Sequence, residues 1–357
     1  MLAGLTRSDQ RRAGEAYLRG LLQCMGRKSI RNISGYLAGD QGQSLQQFVN
    51  HSPWPPACVR RRTLHVLENM VKPVAWIVDE IAFPKNGRHS VGVERQYVRA
   101  LGRICNCQLA TVIGLAWAET CVPVNWRLVI PGSWNADTAR RSRARVPAAE
   151  GSRPYWQYQV EALDDMSQDW GMSPAPVITD ARQLHEAERL VAAFEARDLD
   201  YVARVDEAFR ARALDRPEPR GPGCPSRVKD LVTRLGQVER QTVSWEDGGA
   251  HRLRRSQFVT LPVRPAATVS DTPRLLLVEW PLTKNQPVGY WITNIAHLPL
   301  AELTELARLH RPAGQRLVEL AARAGLFDYE GRSFPGWHHH VTFVSAACAF
   351  LALEETT

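Results

Sequence analysis

Hydrophobic and polar positions along the chain follow two different periods. From residue 7 to 70 the spacing is helical: Ala13, Tyr17, Leu18, Leu21 and Leu22 recur three or four apart, and Ser44 caps a further short helix running to Asn50. At 73–79 the helical period disappears. Val74, Trp76, Ile77 and Val78 make a run of strand formers that leads straight into Asp79 and Glu80, the pattern of a strand buried on both faces. Gln108–Trp117 and 122–130 read as further strands and, with 90–99, predict an antiparallel meander. Glu161–Trp170 is amphipathic, Pro176–Asp180 is a second apolar stretch ending in aspartate, and Gln183–Arg197 carries a helical stripe of Leu184, Leu190, Val191 and Phe194. Tyr201–Val205 reads as a strand. A Pro/Gly-rich loop at 216–225 marks a boundary, and short strands follow at 241–245, 258–263, 274–280 and 288–293. Helices are expected over 300–324 and 336–354, the latter strongly apolar. The order specifies a mixed α/β chain, divided at 1–70, 71–215, 216–295 and 296–357.

Charge adds a partner class. Lys and Arg exceed Asp and Glu by 45 to 37 over 357 residues, a net +8 that favours a polyanion. The excess is clustered at Arg60–Arg62, Arg140–Arg145 and Arg252–Arg255. The 1–70 region, with Lys28, Arg31, Arg60, Arg61 and Arg62, reads either as a small DNA-contact module or as a helical cap on the main domain. No apolar run approaches the ~20 residues that span a bilayer, and the first twelve residues lack a signal-peptide core, so a cytoplasmic location is expected. The seven cysteines have no zinc spacing and read as reduced thiols. Neither GxGxxG nor a Walker-type loop occurs, which leaves nucleotide cofactors without support.

Candidate chemistry rests on the two aspartates that end apolar strands. Asp79 and Asp180, brought together, form the kind of carboxylate pair that holds divalent metal. His338–His340 cannot easily share one ion, since adjacent helical residues point about 100° apart. Trp76, Trp126 and Trp280 are expected in the core; Trp54 and Trp134 sit in polar loops, where they stack on bases or pin the loops.

The stretch from Asp79 through Phe83-Pro-Lys-Asn-Gly-Arg-His89 to Tyr97 resembles the first catalytic motif of bacterial insertion-sequence transposases of the Asp-Asp-Glu superfamily. The resemblance continues in order through Asn106–Gln108, Trp126–Leu128, Thr179-Asp180, Val243–Trp245, Tyr329–Ser333 and Gly336–His340. It also takes in Arg27–Arg31, Ser44–Phe48 and Ser52–Trp54 near the start. It implies an RNase H-like mixed-sheet core with an N-terminal helical domain and a β-rich insertion, matching 216–295 here. It further implies Asp79 and Asp180 as the first two metal-holding catalytic acids, Mg²⁺ or Mn²⁺ as cofactor, and duplex DNA as partner, with a homodimer as an oligomeric option. Lys28, Arg31, Arg60, Arg61, Arg62, Lys85, Arg88, Arg140, Arg141, Arg254, Arg255 and Arg332 are the basic positions expected to meet DNA.

The chain departs from the family at the third acid. Counting back from Gly325 and Tyr329–Ser333, that position falls on Gly314, and Pro312 just before it disfavours a continuous helix. A usual lysine one or two turns later is Ala321, and the glycine-rich stretch after the second acid is Arg182-Gln-Leu184. The implied function is therefore a transposase-like DNA-binding protein, domesticated or degenerate, with impaired metal-dependent nuclease activity. Two alternatives stay open: an active enzyme using a substitute ligand such as His310, and a scaffold recruited to a role other than DNA chemistry.

Overall fold

The computed structural model describes residues 1–37, 41–98, 101–214, 224–233, 239–247, 252–266 and 272–356. The chain forms two compact units, one of 1–173 with 313–357 and the other of 174–312. This division does not follow the boundaries drawn from the sequence, and most of the 216–225 loop lies outside the described residues.

In the first unit the helical period of 7–70 gives α1 (Ser8–Gln23), α2 (Ile30–Tyr36), α3 (Gly42–Asn50) and α4 (Pro56–Met70). Ser29 caps α2 by accepting the Asn32 backbone N–H. The meander is β1 (Ala75–Pro84), β2 (Glu94–Val98), β3 (Arg103–Trp117) and β4 (Thr120–Leu128). Long β3 is its centre, pairing antiparallel with β1, β2 and β4. The short α5 (Thr138–Ala144) and α6 (Tyr155–Asp164) follow, α6 starting earlier than the sequence suggests.

The second unit carries β5 (Val177–Asp180), α7 (Ala187–Glu195), β6 (Tyr201–Val205), β7 (Arg210–Ala213), β8 (Ser226–Arg227), α8 (Val228–Val232), β9 (Gln241–Asp247), β10 (Arg252–Pro265), β11 (Arg274–Pro281) and β12 (Gly289–Thr293). β5 and β6 are parallel, and β6, β12, β11 and β10 continue antiparallel, with β7 and β9 both on β10. The sheet is therefore mixed, and the α/β, RNase H-like class expected from the sequence is the class found.

α9 (Leu300–Arg323) runs unbroken through Pro312, and α10 (Phe334–Thr356) closes the chain. The expected break at Pro312 does not occur. Leu303, Ala307, Ala313, Leu317, Leu320 and Ala321 make a buried stripe along α9, and that burial outweighs the local cost of proline. α10 is the hub of the first unit, packing on α1, α3, α4 and β4. That is why it is apolar nearly all round. Trp76, Trp126 and Trp280 are core residues as expected; Trp54 and Trp134 are buried too, so both pin their loops. All seven cysteines are free thiols. No helix among the described residues is long and apolar enough to cross a membrane.

Candidate functional site

Asp79 sits in the middle of β1, opposite Val112 of β3, half-buried, with the Glu80 backbone N–H donating to its Oδ1 at 2.8 Å. Strand alternation places it on the same face as Ile77. That face is covered by α9. Ile77 pairs with Gly114, and a Cβ added at Gly114 would meet Leu317 Cδ1 at 2.6 Å, so a glycine there lets α9 lie close to the sheet. Leu317 is one turn on from Gly314. A Cβ added at Gly314 would in turn fall 2.5 Å from Asp79 Oδ2. Gly314, where the resemblance implies a third acid, thus faces Asp79 and offers it backbone only. Glu319, on another side of α9, is exposed and pairs weakly with Arg316 at 3.9 Å.

Asp180 ends β5 in the second unit, in register with Arg204 of β6. Its carboxylate is held by Arg182, which donates from Nε at 2.9 and 3.0 Å and from Nη2 at 2.5 Å, while the Arg182 backbone N–H adds a bond at 3.1 Å. Burial pushes the Asp180 carboxyl up, but the bonds and charge of Arg182, with a smaller effect of His310, more than offset this and leave it below the ordinary value. His310 is half-buried on α9, one turn before Gly314. Among the described residues, no three His, Cys, Asp or Glu side chains are grouped so as to hold a metal ion. The residues that the resemblance implies as ligands do not make up a three-carboxylate set: Gly314 has no side chain, and the Asp180 carboxylate already has a guanidinium.

The basic residues divide by environment. Arg60 is a correction to the DNA-contact set. It is 5% exposed and donates to Thr342 Oγ1 (2.8 Å), Asn125 Oδ1 (3.0 Å), the Trp126 carbonyl (2.9 Å) and His338 Nδ1 (3.0 Å). Burial lowers its pKa to about 9, still charged at neutral pH. It ties α4 to β4 and α10 and cannot reach a phosphate. Its neighbours Arg61 and Arg62 are exposed, as are Arg31, Arg88, Arg254, Arg255 and Arg332. Lys28 is half-buried, its Nζ on the Leu21 carbonyl, and shares with Arg31 a cleft of about 570 Å³ between the first helices and residues 328–331. Lys85 donates to the Tyr329 carbonyl at 3.2 Å. Arg140 stacks 4.0 Å over Trp134 and bonds the Arg88 and Val93 carbonyls, and Arg141 bonds the Pro147 and Glu150 carbonyls; both hold loops in place.

His338, His339 and His340 are buried. His339 is stacked on Trp54 at 3.9 Å, with its ring nitrogens on the Val49 and Trp54 carbonyls. His340 Nδ1 meets the Tyr17 hydroxyl at 2.8 Å and its Nε2 the Leu326 carbonyl at 3.1 Å. The triplet is structural.

Residues 1–255 match the model of the family described as DDE superfamily endonuclease. The chain belongs to that family. The matched span includes Asp79 and Asp180 and stops short of α9. The chain is also similar to a protein of Microchaete diplosiphon described as "Probable transposase for insertion sequence element IS701", 21% identical over 199 residues. That alignment covers 55% of this chain and 49% of the relative, so the chain spans about half the length of the curated relative it matches.

Sequence reasoning missed the role of Arg182, noted only as a departure from a glycine-rich stretch. The signal was the Asp-x-Arg spacing at a strand end, which lets the guanidinium turn back on the carboxylate.

Proposed function

We propose that this chain is a transposase-type DNA-binding protein whose metal-dependent strand-cleavage site is impaired. The observation that carries the reading is Gly314: the helix position facing Asp79 has no side chain to donate to an ion. The Arg182 clamp on Asp180 supports it, because a carboxylate already neutralised by a guanidinium must give up that partner to take a metal. On this reading Asp79 and Asp180 are the catalytic acids, Mg²⁺ or Mn²⁺ is held weakly, and duplex DNA is bound by exposed arginines such as Arg61, Arg62, Arg254, Arg255 and Arg332. A cytoplasmic location and a homodimer belong to the same proposal.

The test is nicking of supercoiled plasmid. With Mg²⁺ no nicking above background is expected, and with Mn²⁺ a trace at most. Robust cleavage by the unmodified protein, abolished by Asp79→Ala, overturns the reading. That result would favour a second one, in which His310 serves as substitute ligand; its charge already acts on Asp180.

A further inference from the structure

The β2–β3 ribbon carries a surface that the proposed site does not use. β1 pairs with β3 only from Cys107 onward and β4 only from Ala110. Among the described residues, Arg103–Cys105 have no strand partner except β2, so the two strands continue past the rest of the meander as a ribbon. One face of the ribbon is covered: Val98 is fully buried and packs with Cys107 and Leu109. The other is bare. Tyr97 and Ile104 are direct cross-strand partners on it, 51% and 60% exposed, and Leu101, just before the β3 strand, is 49% exposed. Arg95 lies on the Tyr97 face and is exposed; Arg103, the cross-strand partner of Val98, stands on the opposite face at the outer end of the ribbon and is exposed too. Within 94–107 the sequence has Arg95, Arg99 and Arg103 against the single acid Glu94.

A cross-strand aromatic–aliphatic pair left in water, flanked by arginines, is poor design for a free surface and good design for a polyanion with apolar interior faces. We propose that the β2–β3 ribbon enters a groove of duplex DNA, with Arg95 and Arg103 on phosphates and Tyr97, Leu101 and Ile104 against the bases. The dimensions agree: two paired strands are ~4.8 Å apart, and the ~12 Å major groove admits a two-stranded ribbon. Ile104 is eight residues along β3 from Val112, the partner of Asp79, or roughly 26 Å at ~3.3 Å per residue. The ribbon would thus hold DNA that flanks the Asp79 region, not the scissile position. The inference rests on the DNA-binding half of the proposed function and is independent of whether cleavage survives.

The experiment is fluorescence anisotropy of a labelled random-sequence duplex with the full chain across a salt series. Arg95→Ala/Arg103→Ala should lower the slope of log affinity against log salt by about 1.8, since each phosphate contact contributes ~0.9. Tyr97→Ser/Ile104→Ser should weaken binding about tenfold at unchanged slope. All four sites are exposed, so both variants should keep the parent's melting temperature; Leu101→Ser gives a third, single-site measure in the same direction. If the parent binds DNA and all three variants bind as well as it does, the ribbon assignment fails and the DNA-binding reading stands. If the parent binds no DNA, both fail. If the parent is a dimer by light scattering and Tyr97→Ser/Ile104→Ser is a monomer with unchanged DNA affinity, the ribbon is an interface between copies and the proposal is overturned.

Discussion

Gly314 lies so close to Asp79 that a methyl group added to the glycine would stand 2.5 Å from the carboxylate oxygen Oδ2. The contact follows from how α9 is seated. Leu317 packs into the space left by Gly114, and one turn earlier the helix backbone passes over the acid.

A double-mutant cycle reads this contact directly. Gly314→Ala removes a glycine from a helix interior, a gain of about 1 kcal/mol where nothing opposes it. With Asp79 present the added methyl must displace the carboxylate, so the gain should be lost or reversed. In an Asp79→Ala background it should reappear. Denaturant titration of the four proteins gives the coupling, and additive effects would show that the two residues do not touch.

Restoring the acid needs one substitution, because α9 already runs through Pro312. Gly314→Glu should lower stability in the absence of metal by roughly 1–2 kcal/mol, through crowding and like charge against Asp79. Added Mn²⁺ should recover part of it. A melting temperature for Gly314→Glu that ignores Mn²⁺ at millimolar levels would argue against a shared carboxylate site.

The Arg182 clamp has a small stability effect and a larger electrostatic one. Arg182 and Asp180 side chains are 46% and 24% exposed, so Arg182→Ala should cost no more than about 1 kcal/mol. Without the guanidinium, burial is opposed only by the backbone N–H at position 182 and the smaller effect of His310, and the Asp180 carboxyl should titrate higher. The sign is that of a depressed acid: the clamp stabilises the fold above the ordinary carboxylate range, and that contribution is lost as pH falls. NMR titration of the Asp180 side chain in the two proteins measures the shift.

Arg60 and its neighbours should behave oppositely. Arg60→Ala removes the donors to Thr342 Oγ1, Asn125 Oδ1 and the Trp126 carbonyl and leaves a buried gap, and should destabilise by about 3 kcal/mol. Arg61→Ala/Arg62→Ala should leave the melting temperature alone and flatten the salt dependence of DNA binding. An Arg60 variant that melts normally would remove the structural assignment.

The buried histidines predict weakening in mild acid. Burial holds His338 well below its ordinary pKa and lowers His340 from 6.5 to about 4. Neutral His340 suits its partners, accepting from the Tyr17 hydroxyl and donating to the Leu326 carbonyl. Between pH 6.5 and about 4 the unfolded chain takes up a proton that the folded one refuses, so stability falls with pH across that window. The slope approaches ~1.4 kcal/mol per pH unit for each such histidine. Equilibrium unfolding at stepped pH should show a shallower slope for His340→Gln than for the parent.

Period and composition were enough to place most elements. The helical spacing up to residue 70, the run at 73–79, the strands of the second unit and the apolar α10 are local patterns, each set by side chains near one another in the chain. The apolar runs that lead into Asp79 and Asp180 and the family motifs around them were legible for the same reason, as was the absence of an acid at 314; that β1 continues past Asp79 to Pro84, so that only Asp180 ends its strand, was not. What the sequence could not decide was anything set by distant partners. Pro312 looks like a helix stop until the buried stripe of α9 is counted against it. Arg60 reads as one of three equivalent arginines, yet only its direction on α4 points it at Asn125, Trp126, Thr342 and His338. The closeness of Gly314 to Asp79 depends on Gly114, two hundred positions earlier, leaving room for Leu317. Burial and approach distance are properties of the packed chain, and only the tertiary structure fixes them.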